Sequence, residues 1–198
     1  NMLEDMEKNM EGYTGSVRAV MREAKRGSLR GIHGALSQLI SVPEQYAVAI
    51  ETAFGAALQN IVTDSEGDAK RAIQFLKETK GGRATFLPLS AVRGRMLEER
   101  GLAQCDGFVA VASDLVKCDA TYEAVVKAQV GRTAVAEDMD CAIAIARKFS
   151  YRFRIVTLDG QIINAGGSMT GGSRMQNAGF LSRSNEIEKL RTEMQAAQ

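Results

Sequence analysis

The sequence has one histidine, His33, in 198 residues. That excludes a histidine-rich metal site. No Cys/His or Ser/His constellation accompanies it, so His33, placed between Gly31 and Gly34, reads as a structural residue. Cysteines are few: Cys105, Cys118 and Cys141 are odd in number and lack C-x-x-C spacing. Free, mostly buried thiols in a reducing compartment are expected. No stretch of about 18 apolar residues occurs, which excludes a transmembrane helix. The first ten residues are charged and lack an apolar core, so no signal peptide is expected. The net charge is only +1. Any nucleic-acid-binding surface must therefore come from local clustering of charge.

What is present is an ordinary folded composition, 45% hydrophobic and 25% charged. The length suits one domain or two small ones. The most unusual stretch runs from Asp159 to Ser173. Asp159-Gly160 is a turn signal between two β-rich runs, 154–158 and 161–163, and predicts a hairpin. Two glycine pairs follow, Gly166-Gly167 and Gly171-Gly172. Glycine is costly to order and offers nothing to pack. Four of them in one place imply positive φ or the close approach of another backbone. The segment 166–173 reads G-x-x-x-x-G-G-S. A phosphate-binding P-loop needs lysine where Gly172 stands, and it needs a strand feeding a helix rather than a hairpin. Ile162, Ile163 and Met169 make the segment less polar than a typical linker. The remaining reading is a strand edge almost bare of side chains, open to pairing with another chain.

Helix and strand signals alternate along the chain. Leu3, Met6, Met10, Tyr13 and Val17 form a stripe at helical spacing, as do Ile187, Leu190 and Met194 near the other end. Asn185 with Glu188 resembles a capping arrangement. The two stripes read either as surface helices or as the ends of one antiparallel pair. A helix carrying Arg18, Arg22 and Arg26 on one face should end near Gly27. The residues 31–34 should be extended. Pro43 marks a helix start, with Tyr46, Ala49, Ile50, Ala53 and Phe54 as its apolar face up to Gly55. Ile61-Val62 reads as a strand. Asp64 or Ser65 can cap a helix that buries Ala69, Ala72, Ile73 and Leu76 and stops at Gly81-Gly82. A strand is predicted over 83–87, closed by Pro88. The stretch 90–107 reads as a connector. A strand over 108–111, a helix over 122–130, a strand over 132–136 and a helix over 138–149 follow. Tyr46 and Tyr122 each precede a glycine by nine residues, Gly55 and Gly131. Each glycine is followed by a β-rich run, an acidic residue (Asp64, Asp138) and an alanine-rich helix. This faint repeat predicts two related halves in an α/β fold of mixed α+β character.

Little of this supports catalysis. Glu137, Asp138 and Asp140 make one tight acidic cluster, explained by capping and dipole neutralisation at a helix start. Ser168 and Ser173 lack the G-x-S-x-G elbow. No catalytic residue, metal or cofactor is expected. Two basic clusters stand out instead. Arg18, Arg22, Lys25, Arg26 and Arg30 are opposed only by Glu23 between 14 and 32. Like charges at i,i+4 cost helix stability unless an anion neutralises them. The cluster reads either as a solvated face or as a sequence-independent DNA contact. Arg147, Lys148, Arg152 and Arg154 form the second cluster, interleaved with Tyr151 and Phe153. On a strand, Arg152 and Arg154 share one face and the aromatics the other. The aromatics read as core and the basic residues as phosphate contacts.

The run YRFRIVTLDG at 151–160, followed by GGSMTGGS at 166–173, resembles the C-terminal part of the hinge domain of SMC (structural maintenance of chromosomes) proteins. Gly31-Ile32-His33-Gly34, Leu39-Ile40-Ser41-Val42, Tyr46 through Gly55 and Gly82 through Leu89 resemble its first half. The resemblance covers residues 13–173 and points to the bacterial type. It implies hinge subdomains at 15–89 and 108–178, a connector at 90–107, and coiled-coil stubs at 1–14 and 179–198. It implies a homodimer with Gly166, Gly167, Ser168, Met169, Gly171 and Gly172 at its interface, and DNA held without sequence preference. Chromosome condensation and segregation, in the cytoplasm at the nucleoid, would be the setting. The family's ATPase head, with its ATP and Mg, lies outside this stretch, as do its contacts with kleisin and accessory subunits. No membrane partner is implied. Two alternatives from the residues alone are a nucleotide-binding enzyme using the glycine loop and a dimerisation module that ignores DNA.

Overall fold

The computed structural model describes residues 12–173 and 179–197, so Leu3, Met6 and Met10 of the first stripe lie outside the described residues. Helix α1 (Gly15–Arg26) ends at Gly27, whose φ of 86° lets its N–H reach back to the carbonyls of Ala24 and Glu23. A first unit follows: β1 (Ile32–Ala35), the short α2 (Leu36–Leu39), β2 (Ile40–Ser41), a 3-10 turn, α3 (Ala47–Phe54), β3 (Ile61–Thr63), α4 (Glu66–Thr79) and β4 (Phe86–Pro88). The stretch 90–107 contains one 3-10 turn, Leu102–Gln104. The second unit is β5 (Phe108–Val111), a 3-10 turn, β6 (Lys117–Cys118), α5 (Glu123–Val130), β7 (Thr133–Ala136), α6 (Met139–Lys148) and β8 (Arg154–Thr157). Then come β9 (Ile162–Ile163), β10 (Met169–Thr170) and α7 (Phe180–Ala196).

The second unit repeats the first. Tyr46 and Tyr122 each donate an N–H at 2.9 Å to the residue three before, Pro43 and Asp119, at the entry to α3 and α5. Gly55 and Gly131 end those helices. Asp64 donates its N–H to the Gly31 carbonyl at 2.9 Å, and Glu137 does the same to Gly107 at 2.8 Å. The two glycines share a φ of 72° and 75°. Ser65 caps α4 through the N–H of Asp68, and Asp138 caps α6 through the N–H of Cys141. The faint sequence repeat is a structural duplication. The N-terminal caps and the Gly31 and Gly107 turns are preserved, but the capping side chains differ and Gly55 and Gly131 end their helices at φ of 54° and −67°, which is why the sequence match is weak.

In the first sheet the order is β1-β3-β4, with β1 antiparallel and β4 parallel to β3. The second sheet, β10-β9-β8-β7-β5, repeats that pattern in β5, β7 and β8 and adds β9 and β10 as antiparallel strands. β2 pairs with β6, tying the units together. One apolar cluster, including Val20, Ile61, Ala72 and Leu76, lies between the first sheet and its helices. Another, including Ile145, Phe153, Ile155 and Ile163, serves the second sheet. The largest contains Leu36, Ile50, Phe54, Val125, Val130, Val156 and Leu181, drawn from both units and α7. Each such aliphatic or aromatic residue contributes about 1.5–3 kcal/mol when buried, so separating the units would expose a large part of the stabilising surface.

Four local expectations are corrected. The strand expected to carry Arg152 begins only at Arg154. Ser150 and Tyr151 have φ of 57° and 56°, and Tyr151 donates its N–H to the Ala146 carbonyl at 2.8 Å, closing the end of α6. Arg152 therefore lies in a turn. Asn185 is no helix cap, because α7 starts at Phe180; its side-chain amide donates to the Val42 carbonyl at 3.0 Å. The strand expected over 83–87 is β4, which starts only at Phe86 and takes in Pro88, tolerated because β4 is an edge strand. Ile73, expected on the buried side of α4, is 52% exposed.

Candidate interaction surfaces

The glycine-rich edge is built on the β8–β9 hairpin. Gly160 donates its N–H to the Thr157 carbonyl at 3.0 Å, and Thr157 donates to Gln161 at 2.9 Å, as the Asp159-Gly160 signal predicts. β10 then folds back on β9, with Met169 opposite Ile163 and Thr170 opposite Ile162. Between them Gly166 and Gly167 adopt φ of 91° and 106°, values that only glycine takes readily. The Gly166 N–H is held by the Tyr151 carbonyl at 2.8 Å. Beyond β10, Gln161 grips the backbone of Gly172: its Oε1 accepts the Gly172 N–H at 2.8 Å and its Nε2 donates to the Gly172 carbonyl at 3.1 Å. A Cβ on Gly171 would stand 2.0 Å from that Oε1. Gly166, Ser168, Met169, Gly171 and Gly172 are exposed, while Gly167 is half-buried beside Tyr151. Among the described residues, β10 has β9 on one side and no strand on the other.

The basic residues divide into separate surfaces. Arg18, Arg22, Lys25 and Arg26 are exposed on α1, while Val17 and Val20 face the first sheet. Arg30 is exposed beyond the helix. Arg26 bonds Glu23 at 2.8 Å. Hydrogen bonds from Ser28 and then Arg26 hold the Glu23 carboxyl below its usual range. Arg147 and Lys148 are exposed at the end of α6, which packs on the second sheet. Arg152 is also exposed, but it pairs with Glu99 at 2.9 Å and donates to the Phe149 carbonyl at 3.0 Å.

Arg154 departs from this pattern. It is half-buried, and its guanidinium donates to the Ala53 carbonyl and, at 3.4 Å, to the Thr133 hydroxyl. Burial pulls its pKa down. From the second unit it satisfies a carbonyl in the last turn of α3, a favourable place for a cation. It also lines an open groove of about 430 Å³ with Arg132, Arg152 and Phe54. Sequence reading missed Arg132; only the Thr133–Arg154 register brings it beside the others.

Glu51 was also missed. It is buried on α3, and its Oε1 accepts the Ser182 N–H at 2.9 Å. A Cβ on Gly179 would lie 2.0 Å from its other oxygen, so glycine makes room for the carboxylate at the start of α7. The only local signal was a single acidic residue on an apolar helix face. His33 links the units: its Nδ1 lies 2.8 Å from the Tyr122 hydroxyl and its Nε2 2.5 Å from Asp64. All three cysteines are free and half-buried. Burial, followed by the charges of Glu123 and Asp119, raises the pKa of Cys118. Among the described residues no group of His, Cys, Asp and Glu could hold a metal ion, and no helix is long and apolar enough to cross a membrane.

A duplicated mixed α/β unit with an open glycine-rich strand defines the class. The chain belongs to the SMC hinge family: residues 29–146 match the SMC proteins Flexible Hinge Domain. It is 43% identical over 194 residues to the Chromosome partition protein Smc of Bacillus subtilis, covering 96% of this chain and 16% of that protein. The Halothermothrix orenii protein of the same name is 41% identical over 197 residues, covering 98% of this chain and again 16% of the relative. Among solved structures, it resembles an asymmetric dimer of the Geobacillus stearothermophilus SMC hinge domain at a TM-score of 0.91 and 43% identity, covering 98% of this chain and 79% of that one. The Pyrococcus furiosus SMC hinge domain gives a TM-score of 0.69 and 32% identity, with 90% of each chain covered.

Proposed function

We propose that this chain is the hinge at which an SMC chromosome partition protein dimerises, joining two coiled-coil arms. The observation that carries this reading is the exposed β10 edge, which has no strand on its outer side among the described residues. The duplication suggests its counterpart. β8 has β9 beyond it, whereas β4, the equivalent strand of the first unit, has no such neighbour among the described residues. β10 of one copy pairs with β4 of a second, and twofold symmetry repeats the contact, closing a ring. The Geobacillus relative, an asymmetric dimer, supports self-association of the hinge.

In this reading 15–89 and 108–178 act as the two hinge subdomains, 90–107 connects them, and 1–14 and 179–198 lead into the arms. The exposed residues Arg18, Arg22, Lys25, Arg26, Arg30, Arg147, Lys148 and Arg152 contact DNA phosphates without reading sequence. Arg154 is left out, because its guanidinium already serves the interior. The hinge itself carries no catalytic step and no cofactor; ATP, Mg and kleisin would engage other parts of the full-length protein, in the cytoplasm at the nucleoid.

Light scattering on a sizing column tests the core of this reading. A mass of twice 21.4 kDa is expected. Replacing Gly166, Gly167, Gly171 and Gly172 with bulky or charged residues should leave a folded monomer. A wild-type chain that stays monomeric at micromolar concentration would overturn self-association.

A further inference from the structure

The duplication identifies a place where one unit lacks a side chain that the other possesses. The capping residues Ser65 and Asp138 align Ile73 with Ala146 and Leu76 with Phe149. The strand registers align Phe86 with Ile155 and Ala84 with Phe153. In the second unit, β9 lies beside β8 and puts Ile163 opposite Ile155. Ile163 is 1% exposed and packs in the cluster that holds Ala146, Phe149 and Phe153. In the first unit nothing among the described residues stands in that place. Ile73 is 52% exposed, and an open pocket of about 350 Å³ is lined by Ile73, Leu76, Lys77, Gly82, Arg83 and Ala84.

The chain also presents an apolar residue in search of cover. Met169 on β10 is 55% exposed. It is the cross-strand partner of Ile163, so it lies on the same face of the sheet, the face covered by α6. Antiparallel pairing of β10 with β4 of a second copy keeps α6 and that copy's α4 on one side of the joined sheet, because both units use the same right-handed crossover. Met169 then points at the vacant pocket.

We propose that Met169 of one copy fills the pocket over Ile73 and Leu76 of the other, lying opposite Phe86 as Ile163 lies opposite Ile155. This rests on the dimer reading above and adds an apolar lock that sets the register of strands only two or three residues long. Backbone pairing between such short strands specifies register weakly, whereas one side chain in one slot specifies it strongly. Methionine suits an irregular pocket, being unbranched and adaptable.

A double-mutant cycle on the dimer dissociation constant tests the lock, using Ile73→Ala, Met169→Ala and the double variant in sedimentation equilibrium. Both residues are exposed in the single copy, so circular dichroism should show intact folds. Each single change is expected to weaken the dimer about tenfold or more. The double variant should be little weaker than either one. As a second readout, Ile73→Cys and Met169→Cys chains, with Cys105, Cys118 and Cys141 replaced by serine, should cross-link with each other under a short bismaleimide when mixed. A wild-type dimer whose singles dissociate like wild type, or whose losses multiply independently, would overturn the lock while leaving the dimer intact. A monomeric wild type would overturn the dimer reading and the lock with it.

Discussion

Glu51 accepts the backbone N–H of Ser182 at 2.9 Å, joining the middle of α3 to the first turn of α7 across 131 positions of sequence. The helix leaving the domain is thus capped by a carboxylate from a different helix, while its own N-cap position is Gly179 and carries no side chain. A carboxylate at a helix N-terminus satisfies orphan donors and complements the dipole. The Asn185–Val42 bond and the buried Leu181 and Ile187 hold α7 to the domain beside this contact. Glu51→Ala should lower stability by about 1–2 kcal/mol, as loss of a cap does, read from the urea midpoint. Gly179→Ala should act in the same direction, because the new methyl group occupies the carboxylate's place.

Gln161 holds Gly172 through two hydrogen bonds, and so fixes the chain just beyond β10, where Gly172 has a φ of 133°. Gln161→Ala removes both without touching the glycines. The isolated fold should lose little, since the segment is exposed. Dimer affinity should fall by about tenfold, on the basis of roughly 1 kcal/mol for each bond removed, offset in part by water. Sedimentation equilibrium beside a thermal melt separates the two effects.

Arg154 and its exposed neighbours should behave differently. Arg154→Ala leaves the Ala53 carbonyl without its partner and should destabilise the fold by about 1–3 kcal/mol. DNA affinity of the folded fraction should be unchanged. Arg147→Glu with Lys148→Glu should leave the melting temperature nearly as it was and weaken DNA binding.

The basic clusters on α1 and α6 occupy different units, so their contributions should be separable. Arg18→Glu with Arg22→Glu should reduce affinity and flatten the salt dependence, by about 0.9 in slope for each duplex phosphate that is no longer neutralised. Combining these changes with those on α6 should give effects that add in free energy, because the clusters share no residue or ion pair. Fluorescence anisotropy over a salt series reads both quantities.

Asp138 gives a pH prediction. Its pKa is lowered chiefly by the backbone N–H of Cys141. A carboxyl whose folded pKa lies below its unfolded value, about 3.9, stabilises the fold fully above that value. The contribution disappears as pH falls through the folded pKa. Asp138→Ala should therefore melt below wild type at pH 6, and the gap should narrow below about pH 4. Calorimetry across that range checks the sign.

Much of the fold was legible because its signals are short-range. The Asp159-Gly160 turn, the Gly27 stop and the cap at Ser65 each depend on residues within a few positions of one another, and all three formed as read. Ile73 was misread because helical periodicity assumes that an apolar residue on the inner side of a helix meets something. Among the described residues this unit has no strand to cover it, and α4 has no local means of signalling that.

The sequence by itself determined most of the longer helices and strands, the hairpin, the glycine-rich edge and a faint trace of duplication, since propensity, capping and φ preference act within a turn or two of the chain. Only the tertiary structure decided that Arg154 turns inward to Ala53, that Glu51 caps α7, and that Arg132 and Arg152 share a groove. Those outcomes depend on contacts between residues up to 131 positions apart. Such contacts arise when two sheets and their helices bury one shared core, and no local pattern encodes which polar groups are carried inside with it.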